Sequence, residues 1–306
     1  MHDLIIIGGG PAACAAAVYA GRKKLSTILV TKDWGGQSIV SPGIQNWIGT
    51  VEIPGEVLAQ QLKQHAYAYA GTYVTMKEGV TVEKVTGSQG AFTVTLSDTS
   101  TCAARAVLVA SGARRRTLTV PGADVFEHKG VTYCATCDGP LFGGMDVVVV
   151  GGGNAGFESA AQLLAYAKSV TLLERNPSYR AEPITVEKVL AHENMRGLVN
   201  AEITEIQGDR MVTGVTYRDL ASDEVHALPV QGVFVEIGTI PNTDMIKDIA
   251  ERNPYGHVKV DPRTQQTSCA GVWAAGDCTD CLYAQNNIAV GDAVKALEDI
   301  YRSLLH

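Results

Sequence analysis

Residues 4–13 read LIIIGGGPAA, and an alanine-rich stretch continues from there to about Ala20. Four apolar residues in a row indicate a buried strand, three glycines indicate a tight turn, and the alanines favour a helix. A second apolar run, TILV, follows at residues 27–30. Strand, glycine turn, helix and strand in this order are typical of a βαβ unit.

The same order returns in mid-chain. Residues 147–156 read VVVVGGGNAG, a helix is predicted to about Ala167, and VTLL at residues 170–173 is followed by Glu174. The unbroken valine run predicts a parallel strand that is buried on both faces. Two such units predict two α/β domains of the same type.

Both glycine runs fit the pattern G-x-G-x-x-G/A, as Gly8-x-Gly10-x-x-Ala13 and as Gly151-x-Gly153-x-x-Gly156. In this pattern the glycines permit a tight turn and let the backbone approach a pyrophosphate, which the helix N-terminus then binds. A purely structural turn is the weaker alternative, because each run follows a strand and opens a helix. Two dinucleotide sites in one chain predict electron transfer between a flavin and a nicotinamide.

The residues after the second strand of each unit differ. The first unit has Thr31 and Lys32 there, so no carboxylate is expected on the adenosine ribose. The second has Glu174, whose carboxylate suits a free ribose 2′-hydroxyl and therefore favours NADH over NADPH. Arg175 and Arg180 could pair with a 2′-phosphate instead, or only decorate a loop.

Two close cysteine pairs stand out among the seven cysteines. Cys134 and Cys137 have the spacing of a redox disulfide. A zinc site needs four ligands, and the seven histidines are dispersed, so zinc is the weaker reading, as are structural thiols. Asp138, the next residue, is predicted to act as a general acid and base, or else to cap a helix or turn.

Cys278 and Cys281 follow the pair Gly276-Asp277. We expect this aspartate to contact a ribityl hydroxyl of a flavin. Incidental thiols beside that site are the favoured interpretation of the second cysteine pair, and a second redox centre is the alternative.

Composition narrows the class of protein. The chain has 306 residues and a formal net charge of −7, which argues against binding to nucleic acid or to an anionic membrane surface. No apolar run approaches a membrane span, and the first strand begins too early for a secretory leader, so a cytoplasmic protein is expected. The basic run at residues 114–116 predicts a solvated loop or hinge, with a phosphate contact as the alternative.

The remaining patterns predict how the domains are connected. Short alternating segments at residues 80–85 and 91–96 suggest a β-meander, and residues 210–217 and 225–230 suggest a hairpin. A strand at residues 272–277 and a helix at residues 289–305 are expected to return to the first domain. We therefore predict an FAD-binding domain at residues 1–117 and 244–306, and an inserted pyridine-nucleotide domain at residues 118–243. Both are expected to be Rossmann-like with three layers, ββα.

Residues 134–139 read CATCDG, and this run resembles the signature of the low-molecular-weight thioredoxin reductase family. Other landmarks of that family follow in order: GGGPA at 8–12, GGQ at 35–37, Asn46, GGGN at 151–154, IG at 237–238, PNT at 241–243 and GD at 276–277. For FAD, the candidate residues are Gly8, Gly10, Pro11, Ala12, Gly36, Gln37, Asn46, Gly112, Gly276, Asp277 and Gln285. For the nicotinamide nucleotide, they are Gly151, Gly153, Asn154, Gly156, Glu174, Arg175 and Arg180.

The resemblance implies a homodimer in which electrons pass from NADH or NADPH to FAD and then to a Cys134–Cys137 disulfide. Cys137 would face the flavin, Cys134 would attack a thioredoxin-like or glutaredoxin-like partner, and Asp138 would transfer the proton. The inserted domain would rotate between these partners, with hinges at residues 114–119 and 240–244.

Some residues depart from that family. Residues 174–176 read ERN, where a basic run is usual, and this glutamate and the tail from Tyr283 to Ala296 are similar to the NADH-dependent flavoprotein component of alkyl hydroperoxide reductase. Ala284 stands where a basic residue is usual. That relative carries an N-terminal thioredoxin-like module, which we expect to be a separate small dithiol protein here.

Three other functions remain open from the sequence. The chain could reduce a different small dithiol partner in peroxide defence. It could be a small-molecule dithiol oxidase, although the intact second glycine run argues against that reading. A flavin-binding redox sensor without turnover is the third.

Overall fold

The computed structural model describes residues 1–41, 43–44 and 46–305, and within them every side chain except those of Val40, Thr136 and Cys137. The strands are β1 (His2–Ile7), β2 (Thr27–Thr31), β3 (Val74–Glu78), β4 (Val82–Ser88), β5 (Ala91–Leu96), β6 (Thr101–Val109), β7 (Ala113–Arg115), β8 (Val131–Thr132), β9 (Asp146–Val150), β10 (Ser169–Leu173), β11 (Met195–Leu198), β12 (Ala201–Gly208), β13 (Val212–Asp219), β14 (Val225–Leu228), β15 (Gly232–Val235), β16 (Thr239–Pro241) and β17 (Val272–Ala274). The α-helices are α1 (Pro11–Arg22), α2 (Gly55–Tyr67), α3 (Ala135–Asp138), α4 (Asn154–Leu163), α5 (Pro183–Leu190) and α6 (Asn286–Leu304).

The chain forms two compact units. The first unit comprises Met1–Arg114 and Ile240–His306, and the second comprises Arg115–Thr239. The C-terminal segment thus returns to the unit in which the chain begins. The divisions fall at 114/115 and 239/240, whereas the sequence analysis placed them at 117/118 and 243/244.

The first unit contains one sheet in the order β3-β2-β1-β6-β5-β4. Strand β6 joins two parts of this sheet, because its first half pairs antiparallel with β5 and its second half pairs parallel with β17. The predicted meander is therefore formed by β4, β5 and β6, as a continuation of the parallel sheet.

Strand β1 shows why its sequence is an unbroken apolar run. Leu4 and Ile6 pack in a cluster with α1 and α6, whereas Ile5 and Ile7 pack in a second cluster with β4 and β5. All four side chains are buried. A strand that is covered on both faces has no polar side to alternate with.

The second unit repeats this layering. Its parallel sheet has the order β11-β10-β9-β15-β8, and β12, β13 and β14 form a separate antiparallel sheet. Val147 and Val149 pack against α4, whereas Val148 and Val150 pack against β12 and β13. The predicted α/β fold with Rossmann-like three-layer units is confirmed.

The two segments at which the chain passes between the units, β7 and β16, pair with each other. Within the first unit, the Ser111 hydroxyl donates to the Asn242 carbonyl, the Asn242 side chain donates back to Ser111 O (3.1 Å), and Asn242 N donates to Gly112 O (2.9 Å). Arg114 and Arg115 lie in β7, so their prediction as a loop is wrong. The sequence did not indicate this strand, because β7 pairs with the distant residues of β16.

Across the described ranges, no helix is long and apolar enough to cross a membrane.

Candidate functional site

The CATCDG run lies at the carboxyl end of β8, in the second unit. Cys134 is half-buried and takes part in a disulfide. Ala135, the first residue of α3, packs into the core beside α4, which anchors this short helix. The side chain of Cys137 lies outside the described residues, so its predicted contact with the flavin stays a prediction.

Asp138 ends α3 and is bonded back to the start of the motif. Its backbone N donates to Cys134 O at 3.1 Å. Its Oδ2 accepts a short hydrogen bond from the Thr132 hydroxyl, which itself accepts the backbone N–H of Cys134 at 3.3 Å. The carboxyl group is therefore held beside Cys134 by Thr132, a residue that the sequence patterns did not single out.

The other cysteines lack the features of redox residues. Burial raises the pKa of the Cys278 thiol to about 11, and this sulfur bonds to the carbonyls of Val109 and Ala275. Cys281 is exposed, and both are free thiols. A thiol with a raised pKa is a poor nucleophile, so this geometry favours the interpretation of the pair as incidental.

No metal cluster is apparent in the described part of the chain. There, no three or more His, Cys, Asp or Glu side chains come together in a way that could hold an ion. The disulfide of Cys134 also leaves that sulfur without a thiolate for a metal.

The first glycine loop (residues 8–10) joins β1 to α1. Gly8 has φ +132°, and a Cβ there would lie 2.2 Å from Ala110 O, so only glycine fits this backbone. Gly10 precedes α1, and a Cβ there would meet nothing closer than Gly36 Cα at 3.9 Å. The loop thus presents open space in front of a helix N-terminus, where phosphate groups bind.

A cavity of about 760 Å³ lies at this loop. Its volume is in the range of cofactor sites. Besides the loop it is lined by residues from the ends of β2, β6 and β17, from residues 80–83 and 241–245, and from the start of α6. All of these belong to the first unit.

Nine of the residues predicted to contact FAD line this cavity: Gly8, Gly10, Pro11, Ala12, Gly36, Gln37, Gly112, Gly276 and Asp277. Asn46 and Gln285 are not part of its wall, and the Asn46 amide donates to Gln285 Oε1 at 2.9 Å. Burial raises the pKa of the Asp277 carboxyl, and the charge of His257 opposes this shift. The roles of these residues stay predictions.

Several other residues of the cavity wall were not among the candidates for FAD. Lys32, Asp33, Arg114 and Asn242 all line it. The phosphate-contact alternative for the basic run therefore has support at Arg114. Asp33 puts a carboxylate near the end of β2, directly after Thr31 and Lys32, where no acid was found in the sequence.

The second glycine loop (residues 151–153) joins β9 to α4. Gly151 has φ +120°, and a Cβ there would lie 2.2 Å from Glu236 O. A Cβ at Gly156 would lie 1.8 Å from Gly151 O, so the third glycine permits the close packing of α4 on this loop. A Cβ at Gly153 would meet nothing within 4 Å, which leaves this side of the loop open to a ligand.

Glu174 supports the second glycine loop through a hydrogen bond to its backbone. It is only 3% exposed; its Oε2 accepts the backbone N–H of Gly152 at 2.8 Å, and its Oε1 accepts that of Asn176 at 2.8 Å. Oε1 also accepts from the side-chain amide of Asn176, whereas Oε2 keeps a further lone pair for a ribose hydroxyl. Arg175 and Arg180 are exposed, and neither pairs with an acid of the described residues.

Two further side chains shape this loop. Asn154 Oδ1 accepts the backbone N–H of Glu182 at 2.9 Å, which ties the start of α4 to the segment before α5. Glu236, at the end of β15, accepts from the Ser159 hydroxyl at 2.7 Å. Burial raises the pKa of Glu236, and Ser159 and Arg115 partly offset the shift.

Both loops therefore have the backbone that a bound dinucleotide needs. Residues 2–293 match the family model described as pyridine nucleotide-disulphide oxidoreductase. The chain belongs to this family. Membership confirms the predicted class of enzyme, an NAD(P)H-dependent oxidoreductase, and implies FAD and a pyridine nucleotide as its cofactors.

Individual relatives agree with this assignment. The chain is 38% identical to a component of the alkyl hydroperoxide reductase of Escherichia coli K12 over 296 residues, which are 96% of this chain and 57% of that protein. It is 38% identical to a protein of Bacillus subtilis 168 named NADH dehydrogenase, over 96% of this chain and 57% of that protein. The chain thus spans a little over half the length of these relatives.

A solved structure of similar length matches the architecture of the whole chain. The thioredoxin reductase of T. acidophilum is 37% identical, with a TM-score of 0.79 over 100% of this chain and 99% of that chain. The predicted membership among enzymes like the low-molecular-weight thioredoxin reductases is confirmed.

Proposed function

We propose that this protein is a flavoprotein disulfide reductase that passes electrons from NADH, through FAD and a Cys134–Cys137 disulfide, to a thioredoxin-like protein. The observation that carries the proposal is the disulfide-bonded Cys134 in an intact CATCDG run, in the unit that also holds a dinucleotide-type glycine loop. The likeness to thioredoxin reductases supports the partner class.

The reaction balances as a two-electron transfer. One NADH and one proton reduce one disulfide to two thiols, and NAD⁺ is released. Cys134 then attacks the disulfide of the partner and forms a mixed disulfide, from which one partner thiol leaves. Cys137 attacks the sulfur of Cys134, which restores the first disulfide and releases the second partner thiol.

The residues of the first unit fit FAD. The open face of Gly10 and the N-terminus of α1 would receive the pyrophosphate, and Asp277 would accept from the ribityl chain. When bound, FAD accepts a hydride from a nicotinamide and passes two electrons to a disulfide.

The residues of the second unit fit a nucleotide with a free 2′-hydroxyl. Glu174 is buried, and it already fixes the second glycine loop through Gly152. A carboxylate in this place repels a 2′-phosphate, which is the basis for proposing NADH. The name of the Bacillus relative, NADH dehydrogenase, supports the same donor.

Asp138 would serve as the proton-transfer group for Cys134. Its carboxyl is linked to the backbone of Cys134 through Thr132, and this link keeps it near the cysteine that it would serve.

The test is turnover of a disulfide dye by the FAD-loaded protein, with NADH or NADPH and with or without a thioredoxin-like protein. We expect a rate that depends on both NADH and the added protein, and that disappears in Cys134→Ser. Cys281→Ser, which removes an exposed cysteine far along the chain, is the matched control and should keep the rate. No partner-dependent rate with either nucleotide would refute the proposal.

A second candidate function is reduction of a different small dithiol partner in peroxide defence. The identity with the Escherichia coli alkyl hydroperoxide reductase component favours it. Adding a peroxide-reducing protein that has a thioredoxin-like module of its own, in place of thioredoxin, separates the two candidates by the ratio of their kcat/KM values.

The proposal includes a homodimer, as the resemblance to thioredoxin reductases implies, and a cytoplasmic location. Sedimentation equilibrium of the FAD-loaded protein tests the first part, and a monomer at micromolar concentration would contradict it. Fractionation of cells that express the chain tests the second.

A further inference from the structure

The hydroxyl of Thr132 connects the two residues that carry thiol and proton chemistry in the proposed reaction. It donates to Asp138 Oδ2 and accepts the backbone N–H of Cys134 at 3.3 Å. A hydroxyl has one proton to donate and two lone pairs, so both bonds exist together. The carboxyl group of Asp138 and the backbone N–H of Cys134 are thus both hydrogen-bonded to the hydroxyl oxygen of Thr132.

That oxygen atom is held on a rigid element. Thr132 lies in β8, where it pairs with Phe234 of β15 in the parallel sheet, and it is only 7% exposed. Threonine is branched at Cβ, which restricts its side-chain rotamers. Asp138, by contrast, ends a helix of four residues. The sheet therefore fixes the donor, and the donor fixes the carboxyl group.

Proton transfer depends on this kind of support. A general acid or base works only within hydrogen-bond reach of the proton that it moves, and a supporting shell keeps it there. We propose that Thr132 is a positioning residue, whose hydroxyl holds the Asp138 carboxyl group beside Cys134 during thiol–disulfide exchange. This inference rests on the proposed function and adds the residue through which Asp138 acts.

In the thiol–disulfide exchange, the protons and sulfur bonds balance among Cys134, Asp138 and the attacked disulfide. The Cys134 thiol gives its proton to the Asp138 carboxylate as its sulfur attacks. The S–S bond of the substrate breaks and a new S–S bond to Cys134 forms. Asp138 then returns the proton to the departing sulfur, which leaves as a thiol.

The experiment is a single turnover of the FAD-loaded full chain with an alkyl disulfide. The protein is first reduced with dithiothreitol, freed of it without oxygen, and mixed with bis(2-hydroxyethyl) disulfide. This disulfide is chosen because its leaving sulfur needs a proton. The released thiol is counted after an acid quench. The phase that belongs to Cys134 is the one that is absent in Cys134→Ser.

Four variants form the design: Thr132→Val, Thr132→Ser, Asp138→Asn and the double variant Thr132→Val with Asp138→Asn. We expect Thr132→Val, which removes the hydroxyl at nearly constant volume, to slow the turnover about tenfold, or about 1.4 kcal/mol. Thr132→Ser keeps the hydroxyl and should stay within about threefold of the unchanged protein. In the Asp138→Asn background, Thr132→Val should slow the turnover less than about twofold, because residues that act as a unit are not additive.

Two results would overturn the inference. One is a rate for Thr132→Val within twofold of the unchanged protein. The other is an equal loss from Thr132→Val with and without Asp138, which would show that the hydroxyl acts independently of the carboxyl group. If Thr132→Val loses its flavin, Thr132→Ala replaces it in the same design.

This measurement separates the inference from the proposed function. It uses neither a nucleotide nor a protein partner. A failure of NADH-driven turnover with thioredoxin would therefore refute the proposed function and leave the result on Thr132 readable.

Discussion

The first and second glycine loops follow the same backbone path with different supports. Gly8 and Gly151 both have positive φ, and in each a Cβ would lie 2.2 Å from a carbonyl oxygen of the neighbouring strand end. In both loops the middle glycine packs on the residue at the end of the second strand, which is Thr31 in one and Glu174 in the other. The Thr31 hydroxyl turns away to Asp33 O at 2.6 Å, whereas the Glu174 carboxylate accepts the loop N–H.

This difference shows what the glycine pattern does and does not determine. The glycines set a backbone that can approach a pyrophosphate. The residue against the middle glycine differs, because it is the neutral Thr31 in the first unit and the acidic Glu174 in the second. In the proposed function, the same local fold would hold a resident flavin at one place and select a substrate nucleotide at another.

The largest expected effects come from changing the first glycine of each loop, because one change should weaken FAD binding and the other should impair reduction by NADH. Gly8→Ala should yield protein that binds FAD at least about 100-fold more weakly, because strain of about 1–3 kcal/mol adds to the contact with Ala110 O. Gly151→Ala should keep its flavin and lose reduction by NADH to a similar degree. Flavin absorbance after gel filtration and stopped-flow bleaching measure the two effects.

Gly90→Ala is the matched control for these variants. Gly90 has φ +88° in the turn between β4 and β5, with nothing within 4 Å of its Cβ position, so it isolates the backbone strain. It should keep both activities. Loss of flavin from Gly151→Ala as well would mean that the loops do not serve separate ligands.

A smaller effect is expected when the second glycine loop is given the residue type that packs against the first, a threonine in place of Glu174. Glu174→Thr should raise the KM for NADH about tenfold, since a hydrogen bond to a charged group contributes about 1.5–3 kcal/mol. It should also narrow the preference for NADH over NADPH, because the charge that repels a 2′-phosphate is gone. Anaerobic bleaching with each nucleotide measures this, and an unchanged ratio would contradict the role given to the carboxylate.

The third effect concerns Glu236, the half-buried acid beside the second glycine loop. Burial raises the pKa of Glu236, so the unfolded chain ionises first as pH rises, and stability falls until the raised pKa is passed. Glu236→Gln keeps an acceptor for Ser159 and removes this fall. We expect its melting temperature to exceed that of the unchanged protein by about 2 °C at pH 8 and not at pH 4. A gain of equal size at both values would show that the cause is not ionisation.

The smallest effect is expected at the second cysteine pair, Cys278 and Cys281. Cys281→Ser should leave turnover within about twofold, as surface substitutions usually do. In the folded protein a thiol reagent should label Cys281 within seconds and Cys278 far more slowly, because the pKa of Cys278 is raised to about 11 and the residue is buried. Loss of turnover in Cys281→Ser would revive the second redox centre.

Much of the fold could be predicted because it is encoded locally. The apolar runs of β1 and β9, the glycine turns and the helices after them each depend on neighbours in sequence. Strand β5 even has the predicted bounds, Ala91–Leu96. The limits of the units could not be predicted as well, since the pairing of β7 with β16 joins residues more than a hundred positions apart.

The sequence motifs indicated the candidate residues of the site, but they did not indicate the side chains that support those residues through tertiary contacts. Thr132 carries no pattern of its own, and its part depends on how a four-residue helix turns Asp138 back towards it. Asn46 and Gln285 were both predicted to contact the flavin, and the structure adds a hydrogen bond between them that the sequence does not indicate. Such pairs follow from tertiary packing, which a single sequence does not show.

The bonds between Ser111 and Asn242 have a consequence for how this chain can change. They close the first unit across the point where the second is inserted, so the host domain keeps its ends together whatever happens inside the insert. To the host, the whole second unit is a single loop with fixed ends, and lengthening such a loop adds little entropy cost. We therefore expect the first unit to tolerate a change in the length of the second unit, which spans Arg115–Thr239.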